Sequence, residues 1–341
     1  MIYIDKHIYV IIGSLLEETS MSLKKSTGIE YRLPVLAVLN QKGGVGKTTV
    51  SSILAEYAAI KMGLRVLLVD LDMQCNSSDY WIGMEPAPNA TGGQLPPRHP
   101  DYDGDPNIEE RSSIADTFYG KGMLPHETYI SPKNGFIGSV EILLGHPERL
   151  EHINSEYDNA SGRIDTEVIH RIGHVLHQEE MMESYDLIIL DTGPSRNPVF
   201  RSALRAATHA VIPFEPEEKS LQGINAMLQA MSSENFTRSQ KDDLVLVGLL
   251  PNKVRSQTNI HTGTLALLRE ELAGILCPED VFLPQSTAFP ERDVKGVRPK
   301  SIFQINPNHR ARQQSERVGA FVIGRVMQDE RFLIPEKEET A

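Results

Sequence analysis

A chain of 341 residues, 40% hydrophobic and 23% charged, can bury one or two large cores and lacks the bias of fibrous or disordered proteins. Its formal net charge of -12 excludes a uniformly basic nucleic-acid coat, so any DNA contact must come from a local patch. Only two cysteines occur, Cys75 and Cys277, far apart in the chain, which excludes a disulfide framework and fits a reducing, cytoplasmic setting.

The apolar run at residues 8–16 is too short to span a bilayer. Asp5 precedes it, Glu17 and Glu18 follow, and the stretch lacks the form of an export signal. Residues 1–32 therefore read as an N-terminal arm outside the core, with Met21 opening a polar stretch. A buried strand is predicted over 34–39, then a glycine-rich turn, then a helix over 47–62. Val50, Ile53, Leu54, Tyr57 and Ala58 give that helix one apolar face, and Gly63 stands where a left-handed cap belongs. The next strand, 65–69, runs into Asp70.

Residues 85–111 are rich in proline, glycine and acids without periodicity, and read as a surface-loop insertion. Regular structure resumes at 112–118 and 140–144, followed by a helix over 165–183. Leu187 to Leu190 forms a strand closing on Asp191, with further strands predicted at 210–214, 244–250 and 281–283. Helices fill 220–232, 262–276 and 310–328, and 331–341 is an acidic tail. Strands alternating with amphipathic helices predict one α/β domain over 33–330, a doubly wound and mostly parallel sheet flanked by helices.

The decisive stretch is Gln41, Lys42, Gly43, Gly44, Val45, Gly46, Lys47, Thr48 and Thr49, between the first strand and the first helix. A phosphate needs several backbone N–H groups pointing inward, and glycine lets the chain curl that tightly. The helix that follows turns its positive end to the same anion. Lys47 is placed to reach the β- and γ-phosphates of a nucleotide, and the Thr48 hydroxyl to ligate Mg²⁺. Position 41 is Gln rather than the Gly of the usual pattern, and a second lysine, Lys42, opens the loop. Carboxylates come from two strand ends: Asp70 and Asp72 after one, Asp191 after the other, the last in the form of a magnesium-holding Walker B aspartate.

These pieces resemble the ParA/MinD group of deviant Walker ATPases, a P-loop family, over residues 33 to about 328. NQKGGVGKTT at 40–49 is similar to its phosphate loop. VLLVDLDMQCNSS at 66–78 resembles VLLIDLDPQGN, with Met73 for proline and Cys75 for glycine. YDLIILDTGPS at 185–195 resembles YDxxxxDxPPS, with Gly193 for the first proline, and HAVIPFEPEEKSLQGI at 209–224 resembles the segment that follows. The resemblance implies a dimer sandwiching two ATP molecules. It makes Lys42 the signature lysine that reaches the partner's phosphates, Asp72 the aspartate that orients the attacking water, and Asp191 the metal aspartate. It places Asn252 where adenine is read and Pro284 against the base.

The resemblance further implies slow ATP hydrolysis stimulated by a ParB-like partner, non-specific DNA binding by the ATP dimer, and a nucleoid-associated role in DNA segregation. Residues 291–317 hold seven basic against three acidic side chains, a local +4. Arg292, Lys295, Arg298, Lys300, Arg310 and Arg312 are the candidate phosphate contacts there. MinD-like proteins end in a basic amphipathic helix, whereas residues 327–341 are acid-rich and broken by Pro335, which argues against membrane binding. The alternatives are the same engine positioning another cargo, such as a protein cluster or conjugation machinery, and a nucleotide-dependent scaffold without turnover. An electron-transfer role like that of the nitrogenase iron protein needs two cluster cysteines per subunit, a pattern that Cys75 and Cys277 do not match.

Overall fold

Buried apolar runs flanked by helices set the architecture of the computed structural model, which describes residues 29–88, 93–158, 166–217, 219–290 and 300–332. The chain order is β1 (Val35–Val38), α1 (Lys47–Met62), β2 (Arg65–Leu71), α2 (Asn76–Trp81), the short pair β3 (Glu85–Pro86) and β4 (Gln94–Leu95), β5 (His126–Glu127) and β6 (Ser139–Leu143). Next come α3 (Pro147–Asp158), α4 (Thr166–Leu176), α5 (Glu179–Ser184), β7 (Leu187–Thr192), α6 (Pro198–Ala206), β8 (His209–Phe214), α7 (Ser220–Asn235), β9 (Val245–Pro251), α8 (Asn259–Glu271) and α9 (Arg310–Met327). One seven-stranded sheet runs β5-β6-β2-β7-β1-β8-β9, parallel except for the edge strand β5.

Burial on both faces explains why β1, β7 and β8 are almost continuously apolar. One face is covered by α1 and α9, which pack Val50, Ile53 and Leu54 with Val318, Val322 and Ile323. The other face carries α4, α6 and α7, through Ile172, Phe200, Ala203, Ile224 and Met227. The sheet is doubly wound and mostly parallel, as the alternation of elements predicts. Because β1 lies between β7 and β8, the strand order reverses beside it, and the loops at these carboxyl ends form the crevice where α/β folds place ligands.

Several elements differ from their sequence expectation. The helix expected over 165–183 is two helices, because His177 turns its ring inward, its Nδ1 accepting from Arg32 N at 3.2 Å and its Nε2 lying 2.9 Å from Ala206 O. Residues 281–283 do not enter the sheet. They run beside β9, with Leu283 accepting from Val254 N and donating to Pro251 O. The 85–111 segment contains the β3–β4 pair and a buried His99, while residues 89–92 lie outside the described residues. Of the N-terminal arm, residues 1–28 lie outside the described residues. Ile29 is buried, Tyr31 donates its hydroxyl to Arg205 O at 2.8 Å, and Arg238 stacks on the Tyr31 ring.

Candidate functional site

The loop after β1 leaves the sheet through buried Asn40, which donates from Nδ2 to Pro213 O at 2.7 Å and accepts Lys42 N–H at 2.8 Å. Gly44 (φ 74°) and Gly46 (φ 84°) adopt left-handed backbone, and Gly46 caps α1. A side chain at Gly46 would put Cβ 2.5 Å from Asn252 Nδ2, so glycine is required there for space as well as for conformation. Lys47 and Thr48 open α1, whose first N–H groups have no partner within the helix.

Two strand ends then converge. Asp191, at the end of β7, is fully buried; its Oδ2 accepts from Thr48 Oγ1 and Ser77 Oγ, each at 2.7 Å, and its Oδ1 from Ser51 Oγ at 3.2 Å. Burial raises its pKa, against those hydroxyl bonds and the nearby Lys47. Asp70 lies beside it in the β2–β7 register and accepts from Ser78 N at 2.8 Å, Ser78 Oγ at 2.7 Å and Asp72 N at 3.2 Å. Burial first, and the neighbouring Asp191 second, push Asp70 up to about 8. Lys47 is also buried, which lowers its pKa, while Asp191 and Asp72 act in the opposite direction. Asp72 accepts Gln74 N–H at 3.1 Å, and a Cβ at Gly193 would come within 3.3 Å of its Oδ1. Gly193 thus leaves this carboxylate free space.

Next to this centre, and reaching it through Thr48, lies a cavity of about 500 Å³. Gly46, Thr48, Thr49, Asn76, Tyr80, Asn252, Lys253, Pro284 and Phe289 are among the residues that line it. Of the residues singled out in the sequence, Lys47, Thr48, Asp72 and Asp191 are brought together, and Asn252 and Pro284 line the same cavity as Thr48 and Thr49. Asn252 is already engaged: its Nδ2 donates to Val45 O at 2.7 Å and its Oδ1 accepts Lys253 N–H at 2.8 Å. Lys42 pairs through Nζ with Glu217 Oε2 at 2.9 Å. Ser51, Ser77, Glu217 and Lys253 were missed by sequence reasoning. The signal available for Ser77 was its place five residues after Asp72, in the segment that bends back over the loop.

Glu215, Glu217 and His261 also cluster, with one ligand-type atom each within 4.8 Å of the others. They do not suit a metal. Arg255 N–H donates to His261 Nδ1 at 3.1 Å, so the neutral ring carries its proton on Nε2 and has no lone pair left to offer.

The basic patch is only partly accounted for. Arg292, Lys295 and Arg298 lie outside the described residues. Lys300 is exposed. Arg310 donates to Ser256 Oγ at 2.8 Å and lies over the Phe282 ring. Arg312 is committed internally, to Glu316 at 3.2 Å and Ile305 O at 2.6 Å, and its side chain is 17% exposed, which makes it a poor phosphate contact.

Residues 33–245 match the family described as AAA domain. The chain belongs to that family, in its ParA/MinD-type branch. The chromosome-partitioning ATPase Soj of Thermus thermophilus is 26% identical to this ParA/MinD-type chain over 306 residues, covering 86% of the chain and 96% of Soj. Among solved structures, pNOB8 ParA bound to nonspecific DNA superposes with a TM-score of 0.60 at 20% identity, covering 87% of this chain and all of that one. The ATP complex of Cyanothece McdA gives a TM-score of 0.60 at 14% identity, covering 86% and 98%. At such identities the superpositions speak for the fold of this ParA/MinD-type protein. Among the described residues, no helix is long and apolar enough to cross a membrane.

Proposed function

We propose that the chain is a ParA-type partition ATPase whose ATP-bound dimer binds DNA and whose hydrolysis, slow alone and stimulated by a ParB-like partner, releases it. The observation that carries this reading is the convergence of Lys47, Thr48 and Asp191 at the mouth of the glycine loop, with Asp72 beside them. A hydroxyl and a carboxylate oxygen 2.7 Å apart are the hard oxygen donors that Mg²⁺ takes, so Thr48 and Asp191 would hold it. The bound metal would supply charge neutralisation at the β- and γ-phosphates.

The chain's own residues do the rest. Gly43, Gly44, Val45, Gly46 and Thr49 cradle the phosphates with backbone N–H groups, and Lys47 meets the terminal oxygens. Asp72 accepts a hydrogen bond from the attacking water and orients it. Lys42, at the surface, crosses to the second subunit's phosphates and stabilises the charge that develops there. Adenine lies between Asn252 and Pro284. Lys300 and Arg310, with Arg292, Lys295 and Arg298, contact DNA phosphates, and the protein works in the cytoplasm on the nucleoid.

The test is a DNA mobility shift with ATP, ADP or no nucleotide, over a salt series, alongside phosphate release. Retardation that requires ATP and weakens steeply with salt supports the reading. DNA binding indifferent to nucleotide, or no phosphate release with DNA and a centromere-binding protein present, contradicts it.

A further inference from the structure

The loop after β9 carries a lysine in an unusual backbone conformation. Lys253 has φ 52°, and Cys75 is the other non-glycine residue with positive φ among the described residues. An L-residue in this region is disfavoured, and such a conformation persists where the surrounding structure holds it. Here the following residues hold it: Val254 N donates to Leu283 O at 3.0 Å and Gln285 N to Val254 O at 3.1 Å. The outcome is that Lys253 Nζ donates to Gly44 O at 2.5 Å.

Its neighbour Asn252 donates to the next carbonyl, Val45 O, at 2.7 Å. One dipeptide therefore grips two consecutive carbonyls of the glycine loop. In a planar trans peptide the C=O and the following N–H point in opposite directions. Turning the Gly44 and Val45 carbonyls toward β9 therefore turns the N–H groups of Val45 and Gly46 to the other side, where an anion would lie. Lys253 also lines the cavity itself, beside Gly46 and Asn252.

We infer that Lys253 is a positioning residue for nucleotide binding, holding the glycine loop in its phosphate-accepting shape through the Gly44 carbonyl. The inference rests on the nucleotide reading given above. Because the clamp shapes the loop before any ligand arrives, it serves nucleoside di- and triphosphates equally. This separates it from Lys42, whose proposed target is the partner's triphosphate. A loop freed of the clamp has to be ordered on binding, and that ordering weakens affinity.

The experiment uses the full chain with Lys253→Gly and Lys253→Arg, titrated calorimetrically with Mg-ADP and Mg-ATP, plus thermal melts without nucleotide. Glycine suits φ 52°, so Lys253→Gly removes the clamp without harming the backbone, and its nucleotide-free Tm is unchanged or higher. Its Kd rises about tenfold for both nucleotides by a common factor, the size expected for one charge-assisted hydrogen bond. Lys253→Arg, which keeps a donor in reach, recovers most of the loss. A Kd for Lys253→Gly within about twofold of the wild type, or a loss confined to ATP, overturns the inference while leaving the nucleotide reading intact. A wild type that binds neither nucleotide overturns both.

Discussion

Asp70 and Asp191 stand opposite each other on adjacent parallel strands, partners in the β2–β7 register, and both are fully buried. Burial raises the pKa of both, and the neighbouring Asp191 raises Asp70 further. Three hydroxyls and the cation of Lys47 face Asp191, whereas Asp70 is answered by Ser78 and a backbone N–H. The asymmetry leaves Asp191 as the carboxylate with a cation and a threonine hydroxyl beside it, the one suited to a divalent ion.

This pair gives the nucleotide-free protein an alkaline weakness. Asp70 has a folded pKa of about 8 against an ordinary carboxylate value of 3.8, so between these values the folded state holds the extra proton and stability falls as pH rises. His126, His146, His177 and His209 act with the opposite sign. Burial lowers each to about 4 from 6.5, so they oppose folding as pH drops through that window. Melts across pH should show a maximum at about 6.5 to 7, with Tm falling toward pH 5 and again toward pH 8. Asp70→Asn should flatten the alkaline limb by more than about 1 kcal/mol and leave the acid limb in place.

Lys42 and Glu217 form a half-exposed ion pair, with side chains 33% and 43% accessible. Such a pair is worth less than about 1 kcal/mol, so Glu217→Gln should barely move the melting temperature. It should, however, free Lys42 for a second subunit, so that sedimentation detects dimers at lower ATP. Lys42→Ala should bind ATP yet stay monomeric.

Asp72→Ala removes the carboxylate beside Gly193 without touching the hydroxyls around Asp191. ATP affinity should stay within about threefold of the wild type, while phosphate release falls by about 100-fold or more. Size-exclusion with Mg-ATP should show a persistent dimer, and a monomer would count against the switch.

Arg238 gives a contrasting stability prediction far from the chemistry. Its fully buried guanidinium donates to Glu234 at 2.9 Å and to the carbonyls of Leu204, Arg205, Ala207 and Asp242. Arg238→Met strands those acceptors and should cost about 3–5 kcal/mol in urea unfolding. Nucleotide affinity of the folded fraction should be unaffected.

The sequence was most legible where one physical cause dominated. The strand, glycine turn and helix over 34–62 announce themselves through an apolar run, left-handed glycines and a helical stripe. Helix α2 was not read, because NSSDYW has no apolar period and its place depends on Ser77 and Ser78 reaching Asp191 and Asp70. Helix α6 was also missed, although Asn197 before Pro198 is a cap signal; its Oδ1 accepts Phe200 N at 2.8 Å. The two-residue edge strand β5 exists only by pairing with β6, and Val281 is buried without joining a strand. At the site, Asp191 was legible from its apolar strand. Glu217 and Lys253 were not, because each acts through a partner about 175 or 209 residues away.

The central claim is that the glycine loop grips a triphosphate with Lys47. Calorimetric titration of the wild type and of Lys47→Ala with ATP, with and without Mg²⁺, tests it most directly. The account predicts magnesium-dependent binding by the wild type and affinity at least about 100-fold weaker for Lys47→Ala. Equal affinity for both proteins, or no magnesium-dependent binding by either, would contradict it.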